Sequence, residues 1–250
     1  MKILTTLLLA CLASPAIAGQ LVVAAASDLA YSMDALGKGF RKFEPSARLK
    51  VSTGASGSLF AQIRNGAPFD VFMSADMAYP ARLAKEGAAD GTTLAKYATG
   101  RAALWTNAPG VDPSRGLGIL LDPRIRRIAI ANPDVAPYGM AAKEALRAAQ
   151  LWDAVQPRLV IGENVAQAAQ FAHSGNAQAA ILSVSALHAP QLRRYGRHAV
   201  LAGVTVEQGA VITKHGTRNP LAARWMAYLR TDAARVILAR HGFEPPARTE

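Results

Sequence analysis

The 250-residue chain has a single cysteine, Cys11, which excludes a disulfide scaffold and any cysteine-based zinc site. Its five histidines, His173, His188, His198, His215 and His241, show no metal-ligand spacing and read as scattered surface residues. Aromatic residues are scarce at 6%, and alanine supplies much of the apolar content, so the packing should be smooth and helix-rich. Charged residues reach only 18% against 51% hydrophobic, a balance that rules out a disordered chain. Several enzyme signatures are also missing. Gly54-Ala55-Ser56-Gly57-Ser58 is no nucleophile elbow, because Ser58 stands where the last glycine is required. Gly116-Leu117-Gly118 lacks the third glycine of a dinucleotide loop, and no phosphate-binding loop ends in Gly-Lys-Ser/Thr. There is no internal repeat and no low-complexity linker. Past the N-terminal stretch, no run reaches the roughly 18 apolar residues of a membrane helix.

What is there begins with a leader. Lys2 precedes the mostly apolar residues 3–13, then Ser14-Pro15 and the small-x-small triplet Ala16-Ile17-Ala18. That pattern reads as a signal peptide over residues 1–18, with a soluble, exported chain starting at Gly19. A rival reading makes Leu8-Leu9-Ala10-Cys11 a lipoprotein site with Cys11 acylated, but the apolar stretch before it is unusually short. The chain carries a net charge of +11, which brings nucleic acid, acidic surfaces and small anions into consideration. Arg124, Arg126 and Arg127 form one cluster and Arg193, Arg194 and Arg197 another, neither interleaved with aromatics. Trp105, Trp152 and Trp225 lie in apolar contexts and read as packing. A solvated basic surface without nucleic-acid binding is therefore expected.

The length suits one large domain or two modest lobes. Short apolar runs alternate with helix-period segments along the chain, which argues for an α/β fold with largely parallel sheets. Strands are expected at 21–26, 49–52, 70–73, 102–106, 127–131, 159–161, 179–183, 200–206 and 210–213. Helices are expected after Ser27, after Ser56, and at 79–85, 138–149, 165–173, 221–229 and 233–240. Ser27, Ser56, Tyr138 and Val165 then fall at helix starts, and Ser183 closes a strand. In such folds ligands collect beyond the carboxyl ends of strands, where helix N-termini present unpaired amides that attract anions. Each serine could instead cap its own helix, worth about 1 kcal/mol; only their joint placement points to an anion site. Asp70 and Asp76, a conceivable carboxylate pair, stand at a strand start and a helix start and read as structural or capping.

Five segments resemble the periplasmic molybdate-binding proteins, the substrate-capture subunits of molybdate ABC transporters. They are Ala24-Ala25-Ala26-Ser27-Asp28-Leu29; Gly54-Ala55-Ser56-Gly57-Ser58-Leu59 with Gln62-Ile63; and Gly66-Ala67-Pro68-Phe69-Asp70-Val71-Phe72-Met73-Ser74-Ala75-Asp76. The fourth joins residues 129–133 to Ala136-Pro137-Tyr138-Gly139 and Lys143-Glu144-Ala145-Leu146, and the fifth is Gly162-Glu163-Asn164-Val165; Arg240-His241-Gly242-Phe243 resembles the family's ending. The resemblance implies a two-lobed type-II periplasmic-binding fold with mainly parallel sheets and two chain crossovers. Lobe I would comprise 19–100 and 206–250, lobe II 101–205, with a hinge near Gly100-Arg101 and residues 204–207.

Carried over position by position, the resemblance places the oxyanion's ligands on Ser27 and Ser56, through hydroxyl and amide, and on Tyr138 and Val165, through backbone N–H. Relatives place a tyrosine hydroxyl where Ser183 aligns, so a fifth contact at Ser183 is a departure from the pattern. All five residues would meet the metal only through oxyanion oxygens. The family reading adds no cofactor, no catalysis, a monomer in the periplasm and an ABC permease as partner. A donor-only pocket would suit molybdate and tungstate, which carry no proton at neutral pH, and disfavour hydrogen phosphate, whose proton would meet nothing to accept it. Sulfate could be excluded only by size. A receptor for sulfate, thiosulfate or another oxyanion, and an exported hydrolase using Ser27 or Ser56 with a nearby histidine, are the alternatives.

Overall fold

The computed structural model describes residues 19–247; the expected leader at 1–18, with Cys11, lies outside the described residues. The chain opens with β1 (Gln20–Ala26), whose carboxyl half is fully buried. A 3-10 turn (Ser27–Leu29) follows before α1 (Met33–Phe40). A continuous helix was expected here; Ser32 instead turns its hydroxyl back onto the Leu29 carbonyl and separates the two. Next come β2 (Arg48–Gly54), α2 (Ser56–Arg64), β3 (Val71–Ser74) and α3 (Ala78–Lys85). The long β4 (Ala95–Thr106) leads through two short 3-10 turns to β5 (Ile128–Ala131), α4 (Pro137–Ala148) and the single-turn α5 (Trp152–Val155). The rest is β6 (Leu159–Gly162), α6 (Val165–His173), β7 (Ala179–Ser183), α7 (Pro190–Tyr195), β8 (Arg197–Ile212), α8 (Pro220–Leu229) and α9 (Asp232–Arg240).

All eight strands join one mixed sheet, in the order β2-β1-β3-β8-β4-β7-β5-β6. The β1–β2, β1–β3, β5–β6 and β5–β7 pairs are parallel, as the strand–helix alternation requires. Antiparallel pairing is confined to the middle, where β8 meets β3 and β4, and β4 meets β7. The sheet is thus less parallel than the sequence led us to expect. The cause lies in β4 and β8, which run the length of the molecule in opposite directions. Their register holds from Ala98–Gln208 to Arg101–Thr205, slips, and resumes at Ala103–Val200.

Helices cover both faces. One apolar cluster joins β5, β7 and the alanine-rich faces of α4 and α6 around Trp105, Ile128, Ile130 and Leu182. A second packs α1, α8 and α9 on β1 and β3 through Phe40, Met73, Trp225 and Leu238. The third seats α2 and α3 on the opposite face of the same strands through Phe60, Phe72 and Leu83. Two core units therefore flank the β4–β8 pair. The carboxyl ends of β1 and β2, from one unit, and the helix starts that follow β5 and β6, from the other, come together at a single cavity.

Candidate functional site

Five chain segments converge there, one of them at Ala75 just past β3. β1 stops at Ala26 and Ser27 opens the 3-10 turn; β2 stops at Gly54 and Ser56 is the first residue of α2. Pro137 begins α4, with Tyr138 next, and Val165 begins α6. Ser27, Ser56, Tyr138 and Val165 all line the cavity, together with Asp28 and the alanines Ala26, Ala55, Ala75 and Ala136. The cavity's empty volume is ≈190 Å³, the scale of a small ion. Broader surface hollows, with empty volumes of ≈1320 and ≈1150 Å³, are walled by long charged side chains, Lys96, Arg230 and Arg235 in one, Arg64, Lys214 and Arg218 in the other.

The helix ends explain what the cavity can hold. The residues before Ser27, Ser56 and Pro137 are alanines, which offer no side-chain cap. Neither serine caps its own helix, so the capping account of these residues fails. Asn164 does cap α6, but it accepts from Ala166 and Gln167 and leaves the Val165 amide alone. First-turn amides have no partner within a helix, and the helix dipole makes that end electropositive. The Ser56 hydroxyl accepts from the Ala75 amide at 3.0 Å, which turns its proton outward, and Ser27 stands buried in the same wall. No lysine or arginine lines the cavity. Uncapped amides and serine hydroxyls around an ion-sized space suit a small oxyanion. One further bond joins the two units beside the cavity: the Gly57 amide donates to the Val135 carbonyl at 2.9 Å.

Two expectations need correction. Ser183 closes β7 as expected and is fully buried, but it is not part of the cavity wall. Its hydroxyl lies 2.8 Å from that of Ser185 and accepts from the Ala186 amide, so the side chain pins the turn after β7. Nor is the cavity walled by donors alone, because Asp28 stands in it. This carboxyl is 1% exposed. Its Oδ2 accepts from Gln208 Nε2 at 2.6 Å, while Oδ1 has no partner. Gln208 in turn accepts from the Tyr97 hydroxyl at 2.6 Å, and the Tyr138 hydroxyl packs against the same amide. Burial pushes the Asp28 carboxyl up to about 6, against the opposing hydrogen bonds from Gln208 and Tyr138. Burial, reinforced by the Asp28 charge, holds the Tyr97 and Tyr138 phenols well above their usual range.

In the sequence Asp28 stands out only as part of a motif, and nothing marks Tyr97 or Gln208. An acidic residue directly after Ser27, inside the apolar run Ala24-Ala25-Ala26-Ser27-Asp28-Leu29, was the available signal. Asp70 and Asp76 are structural: Asp70 accepts from the Val22 amide and Asp76 from the Ala78 amide. Among the described residues no three His, Cys, Asp or Glu side chains gather to hold a metal ion.

The model of the bacterial extracellular solute-binding proteins matches residues 21–244. The chain belongs to that family. Among individual relatives, the molybdate-binding protein ModA of Azotobacter vinelandii is 34% identical over 94% of this chain and 93% of its own. ModA of Rhodobacter capsulatus is 31% identical over 93% of this chain and 91% of its own. The solved structure of the Azotobacter vinelandii periplasmic molybdate-binding protein superposes with a TM-score of 0.84 at 32% identity, covering 90% of this chain and 99% of that one. This solute-binding protein therefore has the α/β periplasmic-binding architecture that the sequence resemblance implied.

Proposed function

We propose that the protein captures molybdate, and tungstate with it, in the cavity between its two core units. The observation that carries this reading is the convergence of four helical N-termini on an ion-sized space without a cation. The Ser27 and Ser56 hydroxyls and the first-turn amides at Ser27, Ser56, Tyr138 and Val165 are the donors; Ser183 is not among them. Fixed amides supply a rigid frame, and the longer metal–oxygen bonds of molybdate and tungstate fill it where sulfate's shorter ones fall short. The names and structure of the relatives support the choice of ion.

The rest of the reading follows from a binding role. One lobe comprises 19–100 and 206–250, the other 101–205, with the hinge where Gly100 faces Val206 and Arg101 faces Thr205 just before the register slips. The protein acts in the periplasm as a monomer, without cofactor or catalysis, and hands its anion to an ABC permease.

Thermal unfolding with molybdate, tungstate, sulfate and phosphate at equal concentration tests the reading. An anion at a thousand times its Kd stabilises by about 4 kcal/mol, a shift of several degrees at this size. Molybdate and tungstate should raise the midpoint and the other two should not. If none of the four raises it, the oxyanion reading fails.

A further inference from the structure

Asp28 is at odds with an anion site. It is buried in the cavity wall, one residue from a donor serine, and no lysine, arginine or histidine faces it. The polar groups around it are Gln208 from β8, Tyr97 from β4, Tyr138 from α4 and the backbone amides of Asp28 and Leu29, all uncharged. Gln208 satisfies Oδ2, and its own carbonyl is used by Tyr97, so the orientation of the amide is set. Oδ1 is left without a partner in a place that water does not reach. An ionised carboxylate there would stand in the low-dielectric wall of a cavity that holds a dianion, one residue from the donor Ser27, with no counter-charge to offset the repulsion. A carboxylic acid in the same place is uncharged and turns Oδ1 from an orphan acceptor into a donor.

Building on the molybdate reading, we propose that Asp28 is the residue that sets the protonation state of the occupied cavity: the anion enters fully deprotonated and Asp28 takes one proton from solvent to become the neutral acid. One O–H bond forms on the carboxyl, no other bond changes, and the complex gains one negative charge fewer than the anion brings. Binding is then proton-coupled. Affinity is flat where the free carboxyl is already protonated and falls up to tenfold per pH unit where it is ionised. The same residue restores a donor-only wall, so the discrimination against protonated oxyanions such as hydrogen phosphate depends on it. The burial-driven rise of its pKa in the empty cavity points the same way, and an anion held beside it raises the pKa further.

Calorimetric titration of the mature chain with sodium molybdate, from pH 5 to pH 8.5 and in buffers of different ionisation enthalpy, tests this. Wild type should take up close to one proton per ion at pH 8 and little at pH 5, with affinity falling across that range. Asp28→Asn, isosteric and with an amide N–H where the acid O–H would be, should bind without proton uptake and with affinity flat over the same pH range. Proton uptake by wild type is read without any variant, so misfolding of Asp28→Asn leaves the test intact. Zero uptake at pH 8, or equal pH dependence in both proteins, overturns the proposal. So does a wild type that prefers phosphate to molybdate at pH 8, which would make Asp28 an ionised acceptor. A wild type that binds none of these anions at any pH overturns the molybdate reading, and this proposal with it.

Discussion

Ser56 uses one hydroxyl twice, accepting from Ala75 and presenting its proton to the cavity, whereas at Ser27 it is the backbone carbonyl that accepts, from the Ala30 amide. Their alanine variants should therefore differ. Each should lose about 1–3 kcal/mol of molybdate affinity by calorimetry, the value of one hydrogen bond to a charged oxygen. Only Ser56→Ala strands a buried amide, so only it should also lower the midpoint of the empty protein. Ser183→Ala should leave affinity unchanged, because its hydroxyl serves Ser185 and Ala186; a tenfold loss would return it to the site. Asp28 offers a test on the empty protein. Its carboxyl titrates near 4 when unfolded and at about 6 when folded. The raised folded value means that its contribution is fully present below pH 4 and is lost as pH rises to 6, on the order of 3 kcal/mol. Asp28→Asn should escape that loss. The gap in unfolding midpoint should open in the variant's favour between pH 4 and 6, then stay constant to pH 8; a gap independent of pH would contradict the assignment.

At the scale of elements, the helix starts were the legible part. Val165–His173 and Ala179–Ser183 stand where apolar periodicity put them, and the strand-to-helix boundaries at Ser27, Ser56 and Tyr138 could be read because strands ended on small residues. The crossing strands were not. β4 was expected only from 102, and β8 as two strands broken near 207–209. Lys96, Thr99, Gly100 and Arg101, like Glu207, Gln208 and Gly209, hide strand character because charged, polar and glycine residues interrupt the apolar pattern there. Gln208 is buried to hold Asp28, and Lys96 pairs with Glu207 across the two strands. Gly100 has a steric reason. A Cβ there would lie 2.1 Å from the Tyr138 hydroxyl and 2.8 Å from Gln208 Nε2. Gly100→Ala should cost about 1–3 kcal/mol in denaturant unfolding, as overpacking does, and should weaken molybdate binding by moving the start of α4. Preserved affinity would separate Tyr138's phenol from the placement of its amide. Asn164→Ala, which removes the cap of α6, should cost about 1 kcal/mol of stability.

For the whole molecule, charge and shape act on different steps of capture. The net charge of +11 draws anions from a distance, and salt screens that attraction over a Debye length of about 8 Å at physiological strength. With no lysine or arginine in the cavity wall, salt should slow molybdate association in stopped-flow measurements and leave dissociation nearly constant. A dissociation rate that rises as steeply as association falls would place a cation at the site after all. The cavity itself adds a different constraint. Its donors are 5% exposed or less, and the Gly57–Val135 bond bridges the two units beside it. A captive ion thus has no exit while the walls are together. With the proposed hinge in β4 and β8, its residence time would be set by how often those two hydrogen-bonded strands bend at their slipped register. A protein of this build can therefore bind strongly and still unload quickly, wherever a partner surface flexes those two strands for it.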